Sequence, residues 1–174
     1  FMNFELDSMV ILEFQWILMN LELDFMVMLE FRWIFGDVEW VKASLSKQSS
    51  LKIDVEDTVH IIMGFMPTTS SHKLIAAVNL DFIRHDTSRL CTAIGEKGSL
   101  RWNGLTGVVS LYESGAKEWR ELFQHQHTPD ESYLAEWKNF ISSITEDKAP
   151  LIAIEDGLKV LQIIEAVRKS SISG

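Results

Sequence analysis

The chain has 174 residues, 47% of them hydrophobic, a formal net charge of −9 and a sequence pI near 5.0. That length suits a single domain with a substantial core, and the hydrophobic content excludes disorder over most of it. The acidic balance and the absence of a Lys/Arg cluster argue against a nucleic-acid-binding role, because phosphate neutralisation needs clustered cations.

Residues 2–18 and 19–35 are near-duplicates, identical at 12 of 17 positions. Apolar residues alternate in both, for example Val10, Leu12, Phe14 and Trp16, then Val27, Leu29, Phe31 and Trp33. A period of two predicts strands, so residues 1–35 are read as a duplicated, strand-like segment ahead of a domain spanning 36–174. Charged residues interrupt every apolar run well short of the ~18 residues a membrane helix needs, and no basic stretch opens the chain. Neither a membrane span nor a signal peptide is expected, and the lone Cys91 fits a reducing, cytoplasmic setting.

Val38–Leu45 and Val59–Met66 read as strands, separated by a polar loop and followed by a turn at Pro67–Ser71. Asp54, Glu56 and Asp57 in that loop read as a solvated acidic edge. Leu74–Ile83 alternates clearly and is followed by the polar break Arg84–Arg89, a strand over Leu90–Ile94, a turn at Gly95–Gly98 and a strand over Ser99–Trp102. Val108–Tyr112 and Trp119–Phe123 add two more.

The last third turns helical. Thr128 is placed as an N-cap, Pro129 at the first helical position and Glu131 as the capping-box acid. Tyr133, Trp137, Phe140, Ile141 and Ile144 form one apolar face. A second helix starts near Glu155-Asp156, with Leu158, Leu161, Ile164 and Val167 as its stripe. The expected fold is α+β: an open, mostly antiparallel sheet of about six or more strands, helices packed on one face.

Five stretches resemble the C-terminal domain of the glucose–fructose oxidoreductase, inositol dehydrogenase and MocA (Gfo/Idh/MocA) family over about residues 33–171. They are RWIFGDVEWV (32–41), VEDTVHIIMGF (55–65), LIAAVNLDFI (74–83), AIGEKGSLRWNG (93–104) and IEDGLKVLQIIEAVRKSS (154–171). The resemblance implies a sugar- or polyol-related NAD(P)-dependent oxidoreductase, with an N-terminal Rossmann domain and a C-terminal sheet for substrate and oligomer contacts. The chain departs from that pattern in three ways, the first being that the family's Glu-Lys-Pro lysine, which belongs to the Rossmann domain, has no counterpart here. It also has no G-x-G-x-x-G, and Met26 falls where the family's catalytic histidine is expected. No catalytic residue is therefore assigned, and no cofactor is expected to bind this chain alone.

Arg84, His85 and Arg89, in the densest polar loop, are the substrate-binding candidates. His60 reads as a satisfied surface or interface histidine, and the H-x-H pair His125/His127 as a solvated loop rather than a metal site. The partners expected are a Rossmann domain and a second copy bound through the open sheet face, with no nucleic acid and no membrane. The alternative reading is a non-catalytic, homo-oligomeric assembly module derived from a shortened enzyme.

Overall fold

Among the described residues, eight strands form one sheet. The computed structural model describes residues 9–17, 21–67, 73–126, 128 and 130–173. The elements are β1 (Met9–Ile17), α1 (Leu21–Phe35), β2 (Val38–Ser46), β3 (Thr58–Phe65), β4 (Ile75–Asp81), β5 (Arg89–Gly95), β6 (Gly98–Asn103), β7 (Val108–Glu113), β8 (Arg120–Gln124), α2 (Glu131–Thr145) and α3 (Ile154–Ser173). The sheet order is β2-β3-β4-β1-β5-β6-β7-β8, and of these described pairs only β1 with β4 is parallel. The expected α+β class, with an open, mostly antiparallel sheet, is found. Most of the turn expected at Pro67–Ser71 lies outside the described residues.

The two near-identical segments take different structures. The first copy supplies strand β1, which lies between β4 and β5. The second copy is helix α1, not the expected strand. Residues 9–17 and 26–34 agree at seven of nine positions, so local preference cannot decide between the two states. Context does. The second copy runs into Gly36, whose φ of 91° is open to glycine, and whose N–H donates to the Arg32 carbonyl at 2.9 Å. As a helix it buries Val27, Met28, Leu29 and Phe31 in the core.

The core lies between the sheet and the helices. Val59, Ile61, Met63 and Phe65 of β3, with Ala76, Val78 and Leu80 of β4, point into it, and their alternating neighbours point to the other face. Helix α3 packs on β2 and against α1. Its buried residues are Val160, Ile163 and Val167, whereas Leu158 and Leu161 of the expected stripe are exposed. α3 carries apolar residues on two sides, and a three- or four-residue spacing fits either one. Two of its serines also close the sheet edge. The β2 N–H groups of Ala43 and Leu45 donate to Ser170 Oγ (3.2 Å) and Ser171 Oγ (2.9 Å). These are outward-pointing donors of an edge strand, which otherwise invite another chain.

The acidic loop before β3 is not uniformly solvated. Asp57 is completely buried and organises the turn. It accepts from the Gln48 N–H at 2.7 Å, the Ser49 N–H at 2.9 Å and the Ser49 hydroxyl at 2.6 Å. These donors, the Gln48 amide first among them, lower its pKa to about 2.

Candidate functional site

The open face of the sheet is mixed rather than apolar. Register places Lys42, Ile62, Ala77, Thr92, Arg101 and Ser110 in one row across it, and Ser44, His60 and Asn79 in the next. Near one end lies a shallow depression of about 350 Å³ lined by Thr58, His60, Asn79, Asp81, Ile83 and Arg84, among others. Period two puts His60 and Asn79 opposite each other on this face, with His60 Nδ1 2.5 Å from Asn79 Oδ1. Arg84 enters from the β4–β5 loop. Its backbone N–H donates to Asp81 Oδ1 at 2.8 Å, and its guanidinium lies 3.6 Å from both Asp81 and Asp86. The flanking carboxylates compensate its charge. The depression thus sets the Arg84 guanidinium among carboxylate, amide and imidazole groups, an array suited to hydroxyl groups more than to an anion.

The three expected site residues do not converge. Arg84 lines the open-face depression, and His85 is exposed on the same loop. Arg89 turns to the helix side, where its Nη2 lies 3.3 Å from Glu30 Oε1 of α1. Its guanidinium also stacks 5.1 Å from the centre of the Trp102 ring. Gly104 makes room for it, since a Cβ there would come within 2.5 Å of Arg89 Cδ. Burial raises the Glu30 pKa, and the Arg89 charge opposes that shift. Burial also pushes the Cys91 thiol up to about 12, so it is an inert core sulfur.

Elsewhere the polar candidates have structural partners. His125 Nε2 lies 3.1 Å from Glu131 Oε2, and Glu131 also accepts from the Thr128 N–H at 3.3 Å. That is half of the expected capping box, although α2 itself begins at Glu131, after Asp130 with φ 67°. His127 lies outside the described residues. Among the described residues no group of three or more His, Cys, Asp or Glu could hold a metal. None of their helices is long and apolar enough to cross a membrane.

The residues present do not fit a nicotinamide dinucleotide. A pyrophosphate sits at a helix N-terminus after a glycine-rich turn, where free N–H groups and the dipole favour negative charge. Here α2 opens with Glu131 and α3 with Glu155 and Asp156, so both first turns already carry carboxylates. No glycine-rich turn precedes either helix.

An open, mostly antiparallel sheet backed by helices, with polar side chains gathered at one end, defines an α+β domain of the open-sheet kind. The sequence profile described as "Oxidoreductase family, C-terminal alpha/beta domain" matches residues 30–174, and the chain belongs to that Gfo/Idh/MocA family. Among curated proteins none matches significantly. Solved structures share the fold. Levoglucosan dehydrogenase in complex with NADH is 15% identical with a TM-score of 0.77, covering 95% of this chain and 57% of its own. An oxidoreductase from Sinorhizobium meliloti is 15% identical, TM-score 0.78, with 96% and 56% covered. UDP-N-acetylglucosamine 3-dehydrogenase from Acidithiobacillus ferrooxidans is 14% identical, TM-score 0.73, with 95% and 54% covered. The chain therefore spans little more than half the length of these relatives.

Proposed function

We propose that this chain is the substrate-binding and assembly domain of a sugar- or polyol-related NAD(P)-dependent oxidoreductase, working beside a separate Rossmann domain and not catalytic alone. The observation that carries the reading is the family match over residues 30–174 in a chain spanning 57% of a relative solved with NADH. The acidic helix starts and the missing glycine-rich turn support a division of labour in which another domain holds the cofactor. On this chain the hydroxyl-bearing substrate meets Arg84 and its neighbours His60 and Asn79, with His85 at the rim. Arg89 contributes indirectly, by fixing α1 through Glu30.

The test has two arms. Titration of NADH into the chain should leave nicotinamide fluorescence unchanged, and a micromolar complex would overturn the reading. Saturation-transfer NMR with levoglucosan as probe should give a signal that Arg84→Ala removes. A signal indifferent to that change would move the site elsewhere.

The second reading, a homo-oligomeric module of cytoplasmic type, is favoured by the extent of apolar surface left uncovered on the helices.

A further inference from the structure

Residues 9–17 (MVILEFQWI) and 26–34 (MVMLEFRWI) differ only at 11/28 and 15/32, yet the first is strand β1 and the second most of α1. A sequence that fits the slot between β4 and β5 therefore occurs twice, and the sheet takes the earlier copy. Two packings that differ by so little sequence are close alternatives, and a fold with one native state needs a device that selects between them.

From this geometry we infer that the selector is the length of the connection at Gly36 and Asp37, which is too short to let the second copy occupy the slot. β1 is parallel to β4, β4 antiparallel to β3, and β3 antiparallel to β2, so β1 and β2 point the same way. Both start at the end of the sheet where Val38 faces Phe65 and Gly64 faces Ile75. In the register of the first copy, the second would place Ile34 where Ile17 stands, beside Asp81 at the opposite end. From there the chain must retreat along the seven residues of β4, ~23 Å, and cross three strand spacings, ~14 Å, a diagonal of ~27 Å to Val38. Ile34 and Val38 are four Cα steps apart, which reach ~14 Å when fully extended. The second copy can enter the slot only if β2 abandons its ladder with β3.

As a helix the same segment makes the return. Its 15 residues at ~1.5 Å each span ~22 Å, the length of the strand that it runs back along. Gly36 then ends it, and the Asp37 carbonyl accepts from the Met66 N–H at 2.8 Å, so both connecting residues are already committed. Lengthening the connection removes the exclusion. The second copy can then take the slot while the first, which shares its apolar pattern, covers the sheet in place of α1.

The test reads which copy lies beside β5. Thr92 is the register partner of Glu13, whose counterpart in the second copy is Glu30. Directly opposed residues of an antiparallel pair lie within disulfide reach, ~4.5–5.5 Å between Cα atoms. In a Cys91→Ser background, Glu13→Cys/Thr92→Cys should form an intrachain disulfide on mild oxidation, read by peptide mass spectrometry. Glu30→Cys/Thr92→Cys should not, because Glu30 lies on α1. After insertion of ~16 Gly/Ser residues between Gly36 and Asp37, which span ~22 Å on average, the 30–92 link should rise from none to an amount comparable with the 13–92 link. Exchanging the differing residues at the native length, Ile11→Met/Gln15→Arg with Met28→Ile/Arg32→Gln, should leave the 13–92 link alone. A 30–92 link at the native length would overturn the inference. So would its absence from the lengthened chain, since sequence or core packing would then be the selector. Loss of both links in the lengthened chain also counts against it, because the connection would then hold the sheet together rather than choose the copy.

Discussion

Arg32 Nη1 and Asp156 Oδ1 lie 2.6 Å apart across 124 residues of sequence. Arg32 stands in the last turn of α1 and Asp156 in the first turn of α3, so each charge also complements its own helix dipole. Arg32 Nε contacts Asp37 as well, at 2.8 Å, and Lys159 reaches the same carboxylate. The Lys159 hydrogen bond first, then Arg32, holds the Asp37 pKa below its usual range. The four residues clamp α1 onto α3. In the first copy of the repeat the position of Arg32 is Gln15. One of the five differences between the copies thus falls where the helix needs a cation.

Arg32→Gln, which makes the second copy more like the first, should therefore loosen α1. The Arg32 side chain is 14% exposed, but its partners Asp37 and Asp156 are more open, so the loss is discounted for solvent to about 1 kcal/mol. Urea denaturation followed by circular dichroism measures it. An unchanged midpoint would show that the clamp is not needed to hold the second copy helical.

Asp57 sets the acid limit of the fold. Its folded pKa of about 2 lies below the ~3.9 of an unfolded aspartate, so its contribution is complete above pH ~4 and is lost as pH falls from there towards 2. Asp37 and Asp156, also shifted down, add to the same slope. Asp57→Asn keeps the shape but cannot accept all three donors at Gln48 and Ser49. It should lower Tm at neutral pH by roughly 5 °C or more and flatten the decline below pH 4, as read by thermal melts at stepped pH. An equally steep acid decline in the variant would assign that slope to other carboxylates.

Gly64 lies under the Trp40 indole on the open sheet face. A Cβ built there would fall 2.2 Å from Trp40 Nε1, so Gly64→Ala must displace the ring. The overpacking should cost about 1–3 kcal/mol and alter tryptophan emission. Denaturation monitored by fluorescence reports both. Trp40→Leu in the same background should recover part of the loss, which a backbone effect at residue 64 would not allow.

Much of the architecture was legible in the sequence. Strands β2 to β8 follow from period-two alternation and the breaks between the apolar runs, and the two terminal helices from their start signals and apolar spacing. What failed did so for identifiable reasons. The second copy of the repeat is apolar at so many positions that it satisfies a period of two and a helical stripe alike. Only the Gly36 stop and the Arg32 ion pairs, the latter reaching into α3, separate the alternatives. On α3 the same ambiguity put Leu158 and Leu161 in the expected stripe while Val160 and Ile163 fill the core. Asp57 reads like its neighbours Asp54 and Glu56, because nothing local reveals that the Gln48 and Ser49 amides fold back onto it. Arg84 and Arg89 belong to one polar run, yet Asp81 draws the first to the open face and Glu30 draws the second to the helices. His60 and Asn79 join Arg84's depression by cross-strand register, which only the pairing of β3 with β4 exposes.

The position of β1 governs the order in which the sheet assembles. β4 and β5 are consecutive in the chain but are not neighbours, because the strand between them is contributed by residues 9–17. As the chain leaves the ribosome, that strand emerges well before either neighbour and has no lasting partner until β4 ends at Asp81, 64 residues after Ile17. The β2–β3–β4 and β5–β6–β7–β8 blocks form by short hairpins on either side of an open slot. Seating β1 in that slot requires closure of one long loop, an entropic cost that the hairpin pairings do not carry, and until it closes the β4 and β5 edges stay unpaired.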